Sequence, residues 1–217
     1  MRVAVLLSGC GYLDGAEIHE SVLCLLVLAQ KGHEYHCFAP EIWQSLVKDH
    51  LTGKVEETER RSVLKEAARI ARGKISPLSE LSVGEFDAIV IPGGFGVASN
   101  LSTFAQEKEK CSVNEEVKEK IYQFYREKKP IGATCISPVV IAKIFQGTAE
   151  LTMTLGGNKK SNDYLEKMGM KAVEKTSREI AEDKEHKIFT TPAYMGEDDL
   201  AGMFEGIKMV IEKMEKY

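Results

Sequence analysis

The sequence predicts a single α/β domain spanning residues 1–217, in which a mostly parallel sheet is covered by helices on both faces. Three observations carry that prediction. Short apolar runs rich in β-branched residues stop at turns marked by glycine or proline. Segments with helical spacing lie between them. No internal repeat, low-complexity tract or linker interrupts the alternation over 217 residues. A chain of this length buries a sizeable core without staples. Its composition, 43% apolar and 29% charged, is that of an ordinary globular protein.

The elements follow in order. "RVAVLLS" suits a central parallel strand. "GCGYLDG" turns the chain, with Asp14 and Glu17 at the spacing of a capping box and Asp14 as the cap. From Glu17 to Lys31 the pattern is helical and apolar on almost every side ("SVLCLLVLA"), which predicts a buried helix ended by Gly32. "EYHCFA" is a second strand stopped by Pro40, completing a strand-helix-strand unit of the doubly wound type. Residues 41–60 read as irregular, with a small hairpin insertion turning at Thr52 and Gly53. "RRSVLKEAARIARG" is a helix closed by Gly73, and "FDAIVIPGG" is a third core strand. "SVNEEVKEKIYQFYREKK" is an exposed helix capped by Ser112 or Asn114. "PIGATCISPVV" begins as a fourth strand, ends on Cys135 and runs into a helix through Phe145. "LTMT" and "KIFTTPA" are strands on either side of the helix "NDYLEKMG". In the last helix Leu200, Met203, Phe204, Ile207, Val210, Ile211 and Met214 form a stripe at i, i+3, i+4, i+7 spacing.

Composition narrows the function classes. The net charge is -4 and no basic run stands out, which argues against nucleic acid or anionic membranes as partners. No apolar run approaches the roughly 20 residues of a membrane span. "LLSGC" imitates a lipoprotein cleavage box, but the run Val3–Leu7 falls short of the roughly 7–15 apolar residues a secretory signal needs. The five cysteines, Cys10, Cys24, Cys37, Cys111 and Cys135, form no CxxC and no paired spacing, so a disulfide framework and a zinc site are both unsupported. A reducing cytoplasm is the expected compartment. His33 and His36 are three apart on or next to a strand and face opposite sides, a poor metal pair. No metal and no cofactor is expected.

In open α/β sheets, function collects at the carboxyl ends of the strands. Three turns sit there: "SGCG", "PGGFG" and "TCISP". Cys135 lies in the last, just before a helix whose first turn holds Pro138. A helix N-terminus favours a thiolate, and a pKa of about 6 would ionise about 90% of this thiol at neutral pH. Cys24 and Cys37 read as core, and Cys111, in a polar loop, as exposed and incidental. His50 and His186 lie in polar surroundings and read as surface, while His19 reaches the site only if its helix face turns inward. The better proton partner is Glu20, at the point where the first helix becomes apolar; burial would raise its pKa and let it serve as acid and base in turn. The backbone N–H groups of "PGGFG" and of Ile136 could form an oxyanion hole.

Taken together, "SGCGYLDGAEIHE", "HLTGK", "EAARIARGKI", "PGGFGVASNLSTFA", "KPIGATCISP" and "TTPAYM" resemble the ThiJ/PfpI superfamily, whose fold is that of class I glutamine amidotransferases. They look most like its ElbB-type branch, described as an isoprenoid-biosynthesis-associated or glutathione-independent glyoxalase. The resemblance implies a flavodoxin-like sandwich, a homodimer, Cys135 as elbow nucleophile, Glu20 as its carboxyl partner, and Gly94 and Ile136 as oxyanion donors. One departure stands out: "LTMTLGGNKKSND" lacks the histidine that many members carry after the elbow helix. Chemistry needing only Cys and Glu survives that loss, and glyoxalase conversion of a 2-oxoaldehyde to a 2-hydroxy acid is of that kind.

Two rival readings remain at this point. "GCGYLDG" gives GxGxxxG, near a dinucleotide fingerprint, with Glu41 after the second strand; the third glycine is misplaced, and "ATCISP" and "PGGFG" would have no role. A redox-sensing or protein-binding relative that kept the fold would show the same residues as the enzyme.

Overall fold

The computed structural model describes residues 1–196 and 199–217. The elements run β1 (Arg2–Leu6), α1 (Ile18–Gln30), β2 (Glu34–Ala39), α2 (Val63–Ile70), β3 (Ile75–Pro77), β4 (Ala88–Ile91), α3 (Phe95–Ser99), α4 (Phe104–Glu107), α5 (Glu115–Arg126), β5 (Ile131–Thr134), α6 (Pro138–Phe145), β6 (Thr152–Met153), α7 (Lys159–Lys167), β7 (Lys171–Ala172), β8 (Ala181–Asp183), β9 (Ile188–Thr191) and α8 (Leu200–Met214). Seven strands form one sheet in the order β3-β2-β1-β4-β5-β9-β8. Its pairings are parallel except β8 with β9. β6 and β7 make a separate parallel pair.

This is the α/β architecture the alternating pattern predicts, in the flavodoxin-like form the resemblance implies. Parallel strands buried on both faces read as continuous apolar runs, and β1 shows why. Its Ala4 and Leu6 enter one core, shared with α5, α6 and α7, while Val3 and Val5 enter the other, shared with α1, α2 and α8. The insertion at residues 41–60 is held by a bridge between Lys48 and Val55, and its turn has Gly53 at φ +72°. Among the described residues no helix is long and apolar enough to cross a membrane.

Four local expectations are corrected. The capping box does not form. Glu17 itself caps α1 by accepting from the Glu20 N–H at 2.7 Å, and Asp14 instead accepts from the Lys48 N–H at 2.8 Å, tying the first turn to the insertion. Helix α1 is not buried all round: Ile18, Val22 and Leu26 are 43%, 47% and 42% exposed along one side. The sheet, α2 and α8 cover its other sides, and among the described residues these three exposed side chains are left uncovered. Cys111 is buried, since its polar loop folds back through the Ser102–Val113 bridge onto the core. The short strands β3, β7 and β8 have too few residues to show a period and were not anticipated from the pattern.

Candidate active site

The turns after the first, third and fourth predicted strands converge because those strands, β1, β4 and β5, are neighbours in the sheet. Cys135 follows β5 directly and has φ +55°, the left-handed region that costs a side-chain-bearing residue about 1–2 kcal/mol. The surroundings hold it there. Its N–H donates to the Thr191 carbonyl at 2.9 Å, the Ser137 N–H donates to the Thr134 carbonyl at 3.0 Å, and the Ser137 hydroxyl donates to the Pro92 carbonyl at 2.9 Å. The sharp turn lifts the side chain off the sheet, and Cys135 lines a cavity of about 660 Å³.

Glu20 sits in the first turn of α1 and is fully buried. Its Oε2 accepts from the Gly93 N–H at 2.9 Å and from the Thr134 hydroxyl. Its Oε1 is buried with no hydrogen-bond partner, and the Cys135 thiol is a neighbour of the carboxyl. Burial lifts the carboxyl to about 7; the bonds from Thr134 and Gly93 oppose that rise, and the charge of Glu17 adds to it. Gly93 explains how the two groups come so close. A Cβ there would lie 2.4 Å from the Cys135 Cβ and 2.8 Å from Glu20 Oε2, so only a hydrogen fits between them.

The predicted thiolate is corrected. Burial and the Glu20 charge raise the Cys135 thiol well above its ordinary value, while backbone N–H groups of Gly94 and Ile136 pull the other way. The helix terminus does not win because its partial charge acts on a sulfur set in a poorly solvated wall beside a carboxylate. The resting site therefore pairs a thiol held protonated by burial with a carboxyl raised toward neutrality. Gly94 takes φ +108°, and a Cβ on it would strike the Glu17 nitrogen at 2.3 Å.

Several cavity residues were not predicted. His19 does turn toward the site: it lines the cavity and its Nδ1 shares a 2.6 Å hydrogen bond with the Tyr194 hydroxyl. Tyr12, Phe104 and Lys108 complete that side. Tyr194 lies within "TTPAYM" and Phe104 within "PGGFGVASNLSTFA", so the quoted motifs contained them without marking their direction. Of the other histidines, His33 meets Glu215, His36 meets Ser76 and His186 meets Asp183, while His50 accepts from the Leu13 N–H at 3.4 Å and lies edge-on to Tyr12. At the start of α1, the position a dinucleotide phosphate would need is taken by the Glu17 carboxylate, which removes support from the fingerprint reading.

Comparison with known proteins agrees with this architecture. The chain is 42% identical to the rat "ES1 protein homolog, mitochondrial" over 98% of its length and 82% of that protein's. It is 41% identical to the human "Glutamine amidotransferase-like class 1 domain-containing protein 3, mitochondrial", with the same coverage. The crystal structure of an isoprenoid biosynthesis protein with an amidotransferase-like domain from Ehrlichia chaffeensis superposes with a TM-score of 0.94 at 39% identity, over 100% of this chain and 99% of that one. The relatives named mitochondrial overturn the cytoplasmic expectation. Unpaired cysteines report a reducing environment and do not identify the compartment that provides it. The model of the DJ-1/PfpI family matches residues 11–194, and with relatives this similar along nearly the whole length, the chain belongs to the DJ-1/PfpI family.

Proposed function

We propose that the protein is a glyoxalase-type enzyme of the ElbB-type branch, converting a 2-oxoaldehyde to a 2-hydroxy acid without glutathione. The observation that carries this reading is the pairing of Cys135, at a strained left-handed elbow, with a buried Glu20 poised near neutrality. Ionised Glu20 takes the thiol proton as sulfur bonds to the aldehyde carbon. The oxygen gains charge beside the Gly94 and Ile136 N–H groups and is then protonated, giving a hemithioacetal. Glu20 next removes the hydrogen on that carbon and a proton is returned to the adjacent one. The first carbon is oxidised and the second reduced, so no external oxidant enters. Water hydrolyses the resulting thioester, releasing the hydroxy acid and the thiol. A carboxyl near 7 suits both directions of transfer at physiological pH.

The test is lactate formation from methylglyoxal by the purified protein. Cys135→Ala abolishes it, and Glu20→Gln lowers it by about 10²-fold or more. Equal turnover by Cys135→Ala refutes the proposal.

We also infer that two copies of the chain pair through α1. The exposed residues Ile18, Val22 and Leu26 recur every four positions, a continuous apolar stripe that a two-fold axis can set against itself.

A further inference from the structure

The cavity in front of Cys135 is much larger than the smallest 2-oxoaldehydes. At about 660 Å³ it lies within the roughly 300–1,000 Å³ of pockets that enclose drug-sized ligands. Methylglyoxal, with five non-hydrogen atoms, fills at most about a quarter of it, even at the roughly 30 Å³ that a water molecule occupies.

The space is not polar. Phe95, Ala98, Phe104, Ala105, Ile136 and Met195 line it. Lys108 on the same wall donates to the Ala105 carbonyl at 2.9 Å and lies 5.8 Å from the centre of the Phe104 ring, so it is already engaged with the wall. Of the phenylalanines, Phe95 alone is exposed among the described residues, at 38%, and it follows Gly94 directly. An apolar ring left uncovered beside a reactive group is what a bound apolar substituent would bury. The polar groups of the cavity are the thiol, the His19–Tyr194 pair, the Tyr12 hydroxyl, and two charged groups already engaged with the protein, Glu17 as the cap of α1 and Lys108 on the Ala105 carbonyl.

We propose that the substrate carries a neutral apolar chain: an alkyl- or aryl-substituted 2-oxoaldehyde whose aldehyde carbon meets the Cys135 sulfur while the chain lies against Phe95, Phe104 and Ile136. This rests on the reading of Cys135 and Glu20 as a carbonyl-converting pair. The bonds made and broken are those already described, and the chain passes through unchanged.

Two measurements separate the chain site from the chemistry. In the first, kcat/KM is measured for methylglyoxal, 2-oxohexanal and 2-oxooctanal, and it rises about fourfold for each added methylene. Ala105→Phe, which shortens the cavity, lowers the ratio of the 2-oxooctanal value to the methylglyoxal value about tenfold. In the second, the intact protein is alkylated with iodoacetamide or N-hexyl iodoacetamide, and modification is followed at Cys135 and at the partly exposed Cys10 by peptide mass spectrometry. The hexyl chain speeds reaction at Cys135 at least tenfold relative to Cys10. If no oxoaldehyde is turned over but the hexyl reagent is preferred at Cys135, the chemistry fails and the chain site stands. If turnover occurs and neither series depends on chain length, the chemistry stands and the chain site is overturned.

Discussion

Replacing Glu20 with Gln should make the protein more stable at alkaline pH while lowering its turnover by about 10²-fold or more. The carboxyl binds its proton more tightly in the folded state, at about 7, than in the unfolded chain, where its ordinary value is 4.5. The folded state therefore holds more protons between these values, and stability falls as pH rises through that window. The full contribution is present below pH 4.5 and absent above about 7. At about 1.4 kcal/mol per pH unit, the difference amounts to about 3 kcal/mol. Glutamine keeps the shape and does not ionise. Its carbonyl can take the place of Oε2, which accepts from Gly93 and Thr134, and its amide the place of the unbonded Oε1. Urea unfolding of both proteins from pH 4.5 to 8.5 provides the assay. The wild-type free energy minus that of Glu20→Gln should fall by about 3 kcal/mol across the window and then level off. A difference that does not change with pH would refute the buried, proton-binding Glu20 on which the mechanism depends.

Other outcomes follow from the same geometry. Gly93→Ala drives a methyl group between Cys135 and Glu20; it should cost about 1–3 kcal/mol in chemical denaturation and eliminate methylglyoxal turnover. Both Cys135→Ala and Cys135→Gly are inactive, but the glycine variant should be more stable by about 1 kcal/mol, because only it takes φ +55° without steric cost. Val22→Lys places a charge within the exposed stripe of α1 and should convert a dimer to a monomer in light scattering, with the helical circular dichroism unchanged.

Much of the site was legible because its parts are local. The β-branched runs fixed β1, β4 and β5, and glycine and proline marked where each stopped. In a parallel sheet those ends share one edge, so Cys135, the "PGGFG" turn and the first turn of α1 could be brought together from order alone. Glu20 was identifiable because it is an acid entering an apolar helix with no local task. What could not be read depends on distant packing. The burial of Cys111 comes from a bridge formed within its loop, and the bare side of α1 from the way the elements pack around it among the described residues. The direction of the Cys135 shift is a balance of burial, the Glu20 charge and two backbone donors, and the sequence displays only the helix that follows. His19 and Tyr194 are 175 positions apart, and no pattern in either segment announces their bond.

The central claim is that Cys135 and Glu20 share one proton, and the pH dependence of Cys135 alkylation measures this directly. The reactive species appears once the pair has lost one proton, so the wild-type rate should rise through about pH 7, where Glu20 titrates. In Glu20→Gln that inflection should vanish, and the rate should climb only toward the alkaline range of a buried thiol. Identical profiles for the two proteins, each with a single inflection at the ordinary cysteine value, would contradict the account.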